Sequence, residues 1–290
     1  MQDKKIQEYL KSVLNNIPTD WLRLTTHRLD IFNEKLAKTE FIDEFEGLFN
    51  QNNASRSALN ALPTAFDYIR LGHPLSCVLE WVIARSINLP SDNVISFSSK
   101  TIPILAILRK NLLDQRKTQI LYSGDLPKQF NPVLLKGVYG YGFEIKQVSS
   151  LEEATDFDGS TIYVSTEKEI SFDTLPAQID FYVQVYQDLG SILIINQGVD
   201  ASFVPAIQHV RRRETIAMTP ANCLVVLEAM DTNTSLEVSV SNRASNKAKV
   251  LTAIQEITDA GTTALVGSSG LSIQYAIMMG LVHDLSLIHI

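Results

Sequence analysis

The chain has 290 residues, 45% apolar and 20% charged, the composition of a globular protein long enough to bury a core. A formal charge of −7 and a pI near 5.3 exclude the broad basic face that a general nucleic-acid or anionic-membrane binder needs. The apolar runs are far shorter than a membrane span, and MQDKKIQEYLKSVLNN has no signal-peptide core, so a cytoplasmic location with no membrane or nucleic-acid partner is expected.

The first sixty residues read as helices. Ile6, Leu10, Val13, Leu14 and Ile17 recur at three- and four-residue spacing, and Pro18 ends the run. Leu29, Phe32, Leu36, Phe41, Phe45, Leu48 and Phe49 form a second amphipathic stretch, after which Asn53 or Ser55 can cap a new helix. A helix is expected from Pro74 to about Ile87, a strand over Asn93–Phe97, and a helix over Ile102–Leu113. Further strands are read at Thr118–Tyr122, Phe143–Val148, Ser160–Ser165 and Ser191–Ile195, separated by helices at Asn131–Val138, Leu175–Leu189 and, beyond the last strand, Phe203–Val210. Short apolar strands alternating with helices imply an α/β fold: a mostly parallel sheet with helices on both faces, preceded by an N-terminal helical segment.

The polar run Asp231–Ser235 marks a boundary, giving an N-terminal α/β domain over residues 1–235 and a second domain starting over 236–284. The second holds a helix around Asn246–Ile257, a strand Thr263–Val266, the turn Gly267-Ser268-Ser269-Gly270, and a helix Leu271–Leu281. A strand that opens through Ser-Ser-Gly into a helix suits a phosphate. The first helical turn has backbone N–H groups without internal partners, and the aligned peptide dipoles make that end partly positive. Gly270 permits close approach, and Ser268 and Ser269 add hydroxyl donors; an ordinary serine-capped βα turn is the plainer reading of the same residues.

Residues 264–278 resemble the start of the pyridoxal-phosphate (PLP) domain of the cystathionine γ-synthase-like (Cys/Met metabolism, fold type I) family. The resemblance implies that the amides of Gly270 and Leu271, with Ser268 and Ser269 beside them, hold the PLP phosphate. It also implies an amino-acid substrate and a homo-oligomer with shared sites. The stretch Ser241–Asn246 matches the family's upstream Ser-Asn-Pro segment loosely, without the proline. An earlier echo runs through Tyr68-Ile69-Arg70, Leu79-Glu80 and Val94 to Ser99; an offset of 170 residues pairs Ser98 with Ser268 and Ser99 with Ser269, as in a duplication. In that copy Lys100 stands in the glycine's place, so it reads as degenerate.

PLP chemistry rests on a lysine that carries the cofactor and an acid facing the ring nitrogen. Neither is found where the resemblance would place it: Asn196-Gln197-Gly198 stands where the family has Asp-Asn-Thr, and no lysine lies between Gln197 and Asn246. The expectation is an N-terminal fragment of a PLP-dependent transferase or lyase of sulfur amino-acid metabolism, inactive as it stands. The alternative is a non-catalytic α/β module that binds a small anion or regulates an attached enzyme. Residues 285–290 resemble translated sequencing-adapter read-through and are read as a non-native tail. Cys77 and Cys223 are expected as buried reduced thiols, His73 as structural, and Arg211-Arg212-Arg213 as a solvated helix end; no metal site is expected.

Overall fold

The computed structural model describes residues 2–23, 34–63, 69–167, 174–236, 242–259, 261–262 and 264–285. The chain divides into two compact units, Met1–Leu236 and Glu237–Ile290. Unit 1 is built on six strands: β1 (Val94–Phe97), β2 (Thr118–Ser123), β3 (Glu144–Gln147), β4 (Ser160–Ser165), β5 (Phe181–Tyr186) and β6 (Gly190–Ile195). They form one sheet in the order β1-β6-β5-β4-β2-β3. The pairings β5–β4, β4–β2 and β2–β3 are parallel, whereas β6 runs antiparallel to both β5 and β1. Central strands β4 and β5 are buried at every position, whereas β3, at one edge, is exposed throughout and carries Glu144 and Lys146, charges that discourage pairing with another chain.

Eight helices are described in unit 1: α1 (Gln2–Leu14), α2 (Glu34–Asn50), α3 (Arg56–Ala61), α4 (Pro74–Ser86), α5 (Ile102–Leu113), α6 (Pro132–Gly137), α7 (Phe203–Glu214) and α8 (Pro220–Thr232). Ile104, Ile107, Leu135, Phe203 and Ile207 of α5, α6 and α7 pack on one sheet face against Ile95, Ile120, Ile162, Phe181 and Leu193. The opposite face of β1 meets α4, which is buried on all sides because α1, α2 and α8 cover it in turn. Tyr9 of α1, Phe45 and Phe49 of α2 and Trp81 of α4 meet edge to face at centroid distances of 5.1–5.7 Å for Tyr9–Phe45, Tyr9–Phe49, Phe45–Trp81 and Phe49–Trp81, each pair adding about 0.5–1.5 kcal/mol beyond burial. The helical N-terminal segment is thus part of the core.

A buried carboxylate ties these layers together. Glu80 of α4 accepts the Ser96 amide and hydroxyl, each at 2.8 Å, at the unpaired edge of β1. Arg211 of α7 reaches the same carboxylate at 3.0 Å and donates to the Ser96 carbonyl at 3.1 Å and the Leu71 carbonyl at 2.6 Å. Lys38 of α2 pairs with the other Glu80 oxygen at 2.8 Å and donates to the Ser91 carbonyl. Burial alone would raise the Glu80 carboxyl, but Lys38 and Arg211 outweigh it and hold it below its ordinary value.

His73 caps α4. Its Nδ1 accepts the Ser76 amide, while the Ser76 hydroxyl returns to the His73 backbone in a capping box. The ring proton therefore sits on Nε2, which donates to the Met218 carbonyl at 2.6 Å. Burial pushes the imidazole down to about 4.

Two helices are described in unit 2, α9 (Arg243–Thr258) and α10 (Gly270–Leu285). Two expectations are corrected. Leu175–Leu189 is not a helix: its Phe-Tyr-Val-Gln-Val-Tyr core, rich in β-branched and aromatic residues and buried at every position, pairs on both sides as β5, then turns into β6. Gly190 makes that hairpin, since with φ of 131° a β-carbon would fall 2.1 Å from the Phe97 carbonyl oxygen. Residues 264–266 are in no strand, and Thr263 lies outside the described residues. Among the described residues of unit 2 no strand offers them a ladder, without which an apolar run gains nothing from extension. Tyr68, Ser241 and residues 286–290 of the suspected tail also lie outside the described residues.

Replacing Glu80 by Ala leaves two cations buried without their carboxylate, and urea denaturation is expected to show about 3–5 kcal/mol of lost stability. His73 gives a pH signature. The unfolded chain takes up its proton below about 6.5 and the folded chain only near 4, so its contribution is complete above pH 6.5 and falls as pH drops from 6.5 to 4, by about 3 kcal/mol in all. His73→Asn keeps a cap acceptor and should flatten urea midpoints across that window; an unchanged slope in the variant would refute this account.

Candidate functional site

The Ser-Ser-Gly segment forms the start of α10. Ser269 is the cap: its Oγ accepts the Ser272 amide at 3.0 Å, and its own amide donates to the Ser272 hydroxyl at 3.1 Å. This reciprocal box is encoded by the serine pair three residues apart. It leaves the two intervening amides, Gly270 and Leu271, with no acceptor among the described residues. Ser269 is buried, whereas Ser268, Gly270 and Leu271 are exposed, and a β-carbon at Gly270 would meet nothing within 4 Å. Gly267 lets the turn fold close over the helix, since a β-carbon there would lie 2.5 Å from the Ile273 side chain. A phosphate fits this arrangement: two open donors, a positive helix end and clear space above the glycine.

The corresponding start of α5 is closed. Ser99 Oγ accepts the amides of Thr101 and Ile102 at 3.3 and 3.2 Å, so the Thr101 amide, which aligns with that of Leu271, is taken. Lys100 pairs with Asp188 at 3.8 Å, and the Ser99 carbonyl accepts the Ser191 hydroxyl. Ser98 is held to the Thr215–Ile216 segment by its amide and hydroxyl. The residues here do not fit a phosphate. Asn196 is structural too, its side-chain amide donating to the Pro176 and Ile179 carbonyls.

The arginine cluster departs from its expected place at a solvated helix end. Arg212 and Arg213 are exposed, but Arg211 is buried in the Glu80 network. The sequence signal for that network was a glutamate standing alone in the apolar helix Leu75–Ile83, since a carboxylate at a core position requires a cation there. A cleft of about 500 Å³ opens beside it, bounded by Lys38, Leu71 and the Val204–Arg212 face of α7. Sequence periodicity could not reveal this cleft, because its walls come from segments more than a hundred residues apart.

Cys77 and Cys223 are buried and free, with thiols raised by burial, to about 12 for Cys77 and well above the usual range for Cys223; neither is poised as a nucleophile. Among the described residues no group of three or more His, Cys, Asp or Glu side chains could hold a metal ion, and no helix is long and apolar enough to cross a membrane.

No family model and no curated protein matches the chain. Solved structures resemble it in fold. It is 14% identical to cystathionine gamma-lyase from yeast, with a TM-score of 0.47, over 86% of this chain and 68% of that one. It is 12% identical to metB from Corynebacterium glutamicum, with a TM-score of 0.44, over 87% and 69% of the two chains. Likeness at that level carries no functional argument, and the chemistry has to be read from the residues themselves.

Proposed function

We propose that the chain is part of a PLP-dependent transferase or lyase of sulfur amino-acid metabolism, with the cofactor phosphate held at the start of α10. The observation that carries this reading is the pair of exposed residues Gly270 and Leu271, whose amides have no acceptor among the described residues, flanked by Ser268 and the capping Ser269. Residues 236–284 are the start of a PLP-binding domain in this reading, and residues 1–235 a degenerate copy that holds no cofactor, in keeping with the closed start of α5. When bound, the cofactor supplies an electron sink for an amino-acid substrate. The residues present bind and orient its phosphate. They do not include the carrier lysine or ring-facing acid at the positions the sequence resemblance would give them, so residues 1–290 alone are expected to be inactive. A homo-oligomer and a cytoplasmic location belong to the same proposal.

Pyridoxamine 5′-phosphate tests the site, because it has no aldehyde to condense with surface lysines. In the ¹⁵N-labelled chain, the Ser269, Gly270 and Leu271 amide resonances should shift saturably at millimolar ligand. Gly270→Glu, which sets a carboxylate in the phosphate's place, should abolish the shifts without unfolding α10. Absence of movement at these three amides in the parent chain would remove the basis for the cofactor assignment.

A further inference from the structure

The sheet of unit 1 ends in two strand edges, and they differ. The β1 edge is closed from within the chain, where Glu80 and Arg211 take up the Ser96 amide and carbonyl. At the other end, among the described residues, β3 pairs with β2 alone and is exposed at all four positions. The Val148 amide donates to the Tyr122 carbonyl, and backbone groups alternate sides along a strand. Glu144 and Lys146 therefore turn their backbone groups to β2, while Ile145 and Gln147 turn theirs outward.

The side chains of Glu144 and Lys146 share one face of the strand. Neither forms an ion pair among the described residues; Glu144 adds only the smallest of the attractions on Lys117, which is held by Asp158. The run Glu-Ile-Lys is complementary to itself read backwards. In an antiparallel pair centred on Ile145, the two copies of Ile145 exchange backbone hydrogen bonds and each Glu144 stands opposite a Lys146. Those flanking positions are the non-hydrogen-bonded pairs, in which side chains approach closest. Sliding one strand by two residues sets Glu144 against Glu144 or Lys146 against Lys146, so charge selects this register. The charges that keep an arbitrary strand away thus fit a second copy of the chain.

The surroundings add apolar surface. Ile145 is 36% exposed in the middle of the edge. Leu112 of α5, also exposed, shares a cleft of about 420 Å³ with Gly142, Phe143 and Glu144. Val133 and Leu134 stand exposed on α6, whose Lys136 lies 4.8 Å over the Phe143 ring. Exposed apolar side chains beside unpaired backbone donors and acceptors mark an interaction surface.

We propose that two copies of the chain associate through β3, antiparallel about Ile145, with Glu144 of each opposite Lys146 of the other, joining two six-stranded sheets into one. The contact uses the same patch on both copies, as a closed two-fold dimer requires. It is short, and therefore weak and reversible. It depends on unit 1 and not on the cofactor reading.

Sedimentation velocity of the full chain over a concentration series tests this. The parent should show a reversible monomer–dimer equilibrium. Glu144→Lys and Lys146→Glu, each alone, set like charges opposite one another and should weaken the dimer about tenfold. An equimolar mixture of these two variants restores opposite charges at both positions and should dimerise again, as should the chain carrying both exchanges. Both side chains are exposed, so the variants keep the fold, which circular dichroism checks. Gly270→Glu should leave association unchanged, so the proposed phosphate site and this interface read out separately. A parent that stays monomeric to about 1 mM, single variants that dimerise like the parent, or a mixture that stays monomeric would overturn the proposal.

Discussion

The constraint on which unit 1 depends is one carboxylate buried at the free edge of a sheet. β1 has β6 on one side only, so on the other side the Ser96 amide and carbonyl would be buried without partners. Glu80 and Arg211 satisfy one each. A carboxylate placed there cannot remain alone, because desolvating a charge is affordable only when it is paired and fully hydrogen-bonded. Arg211 from one face of the sheet and Lys38 from the N-terminal helices supply that pairing. The same interaction therefore closes the strand edge, fixes α7 against α4, and docks α2. The cleft beside it is lined by Lys38 and Arg211 of this network together with Asp92, which also pairs with Lys38.

Two helix starts illustrate how little separates a closed helix end from an open one. Both α5 and α10 follow a pair of serines, yet the second serine is used differently. Each accepts the amide three residues on, but Ser99 also accepts that of Thr101, whereas the amides of Gly270 and Leu271 have no acceptor among the described residues. The residue after the serine pair reinforces the difference. Lys100 brings a side chain and an ion pair with Asp188; Gly270 brings neither, and its surroundings are clear. An anion near α5 would have to displace an existing cap, whereas one near α10 meets amides otherwise left to water.

Much of the architecture was legible because it is local. The three- and four-residue spacing of Ile6, Leu10 and Val13, the Pro74 start of α4, and the short apolar runs of β2, β4 and β6 each follow from how one segment buries its own apolar side. The misreading of Leu175–Leu189 has a physical cause: a short apolar segment buried on both faces shows weak amphipathic contrast, and only pairing with β4 and β6 decides for a strand. The reverse error at residues 264–266 arose because strand propensity counts only where a neighbour accepts the ladder. Of the candidate site, a serine cap and the open glycine were readable in the order of residues, whereas the reciprocal bond with Ser272 was not.

By itself the sequence determined the α/β class, the N-terminal helical stretch, most element positions and the Ser-Ser-Gly helix start, because each rests on residues within one or two turns of one another. Tertiary structure alone decided the strand order, the antiparallel course of β6, the burial of Arg211 and the cleft beside it. Those depend on pairings such as Glu80 with Arg211, 131 residues apart, whose energy comes from excluding water around charges that look solvated one segment at a time.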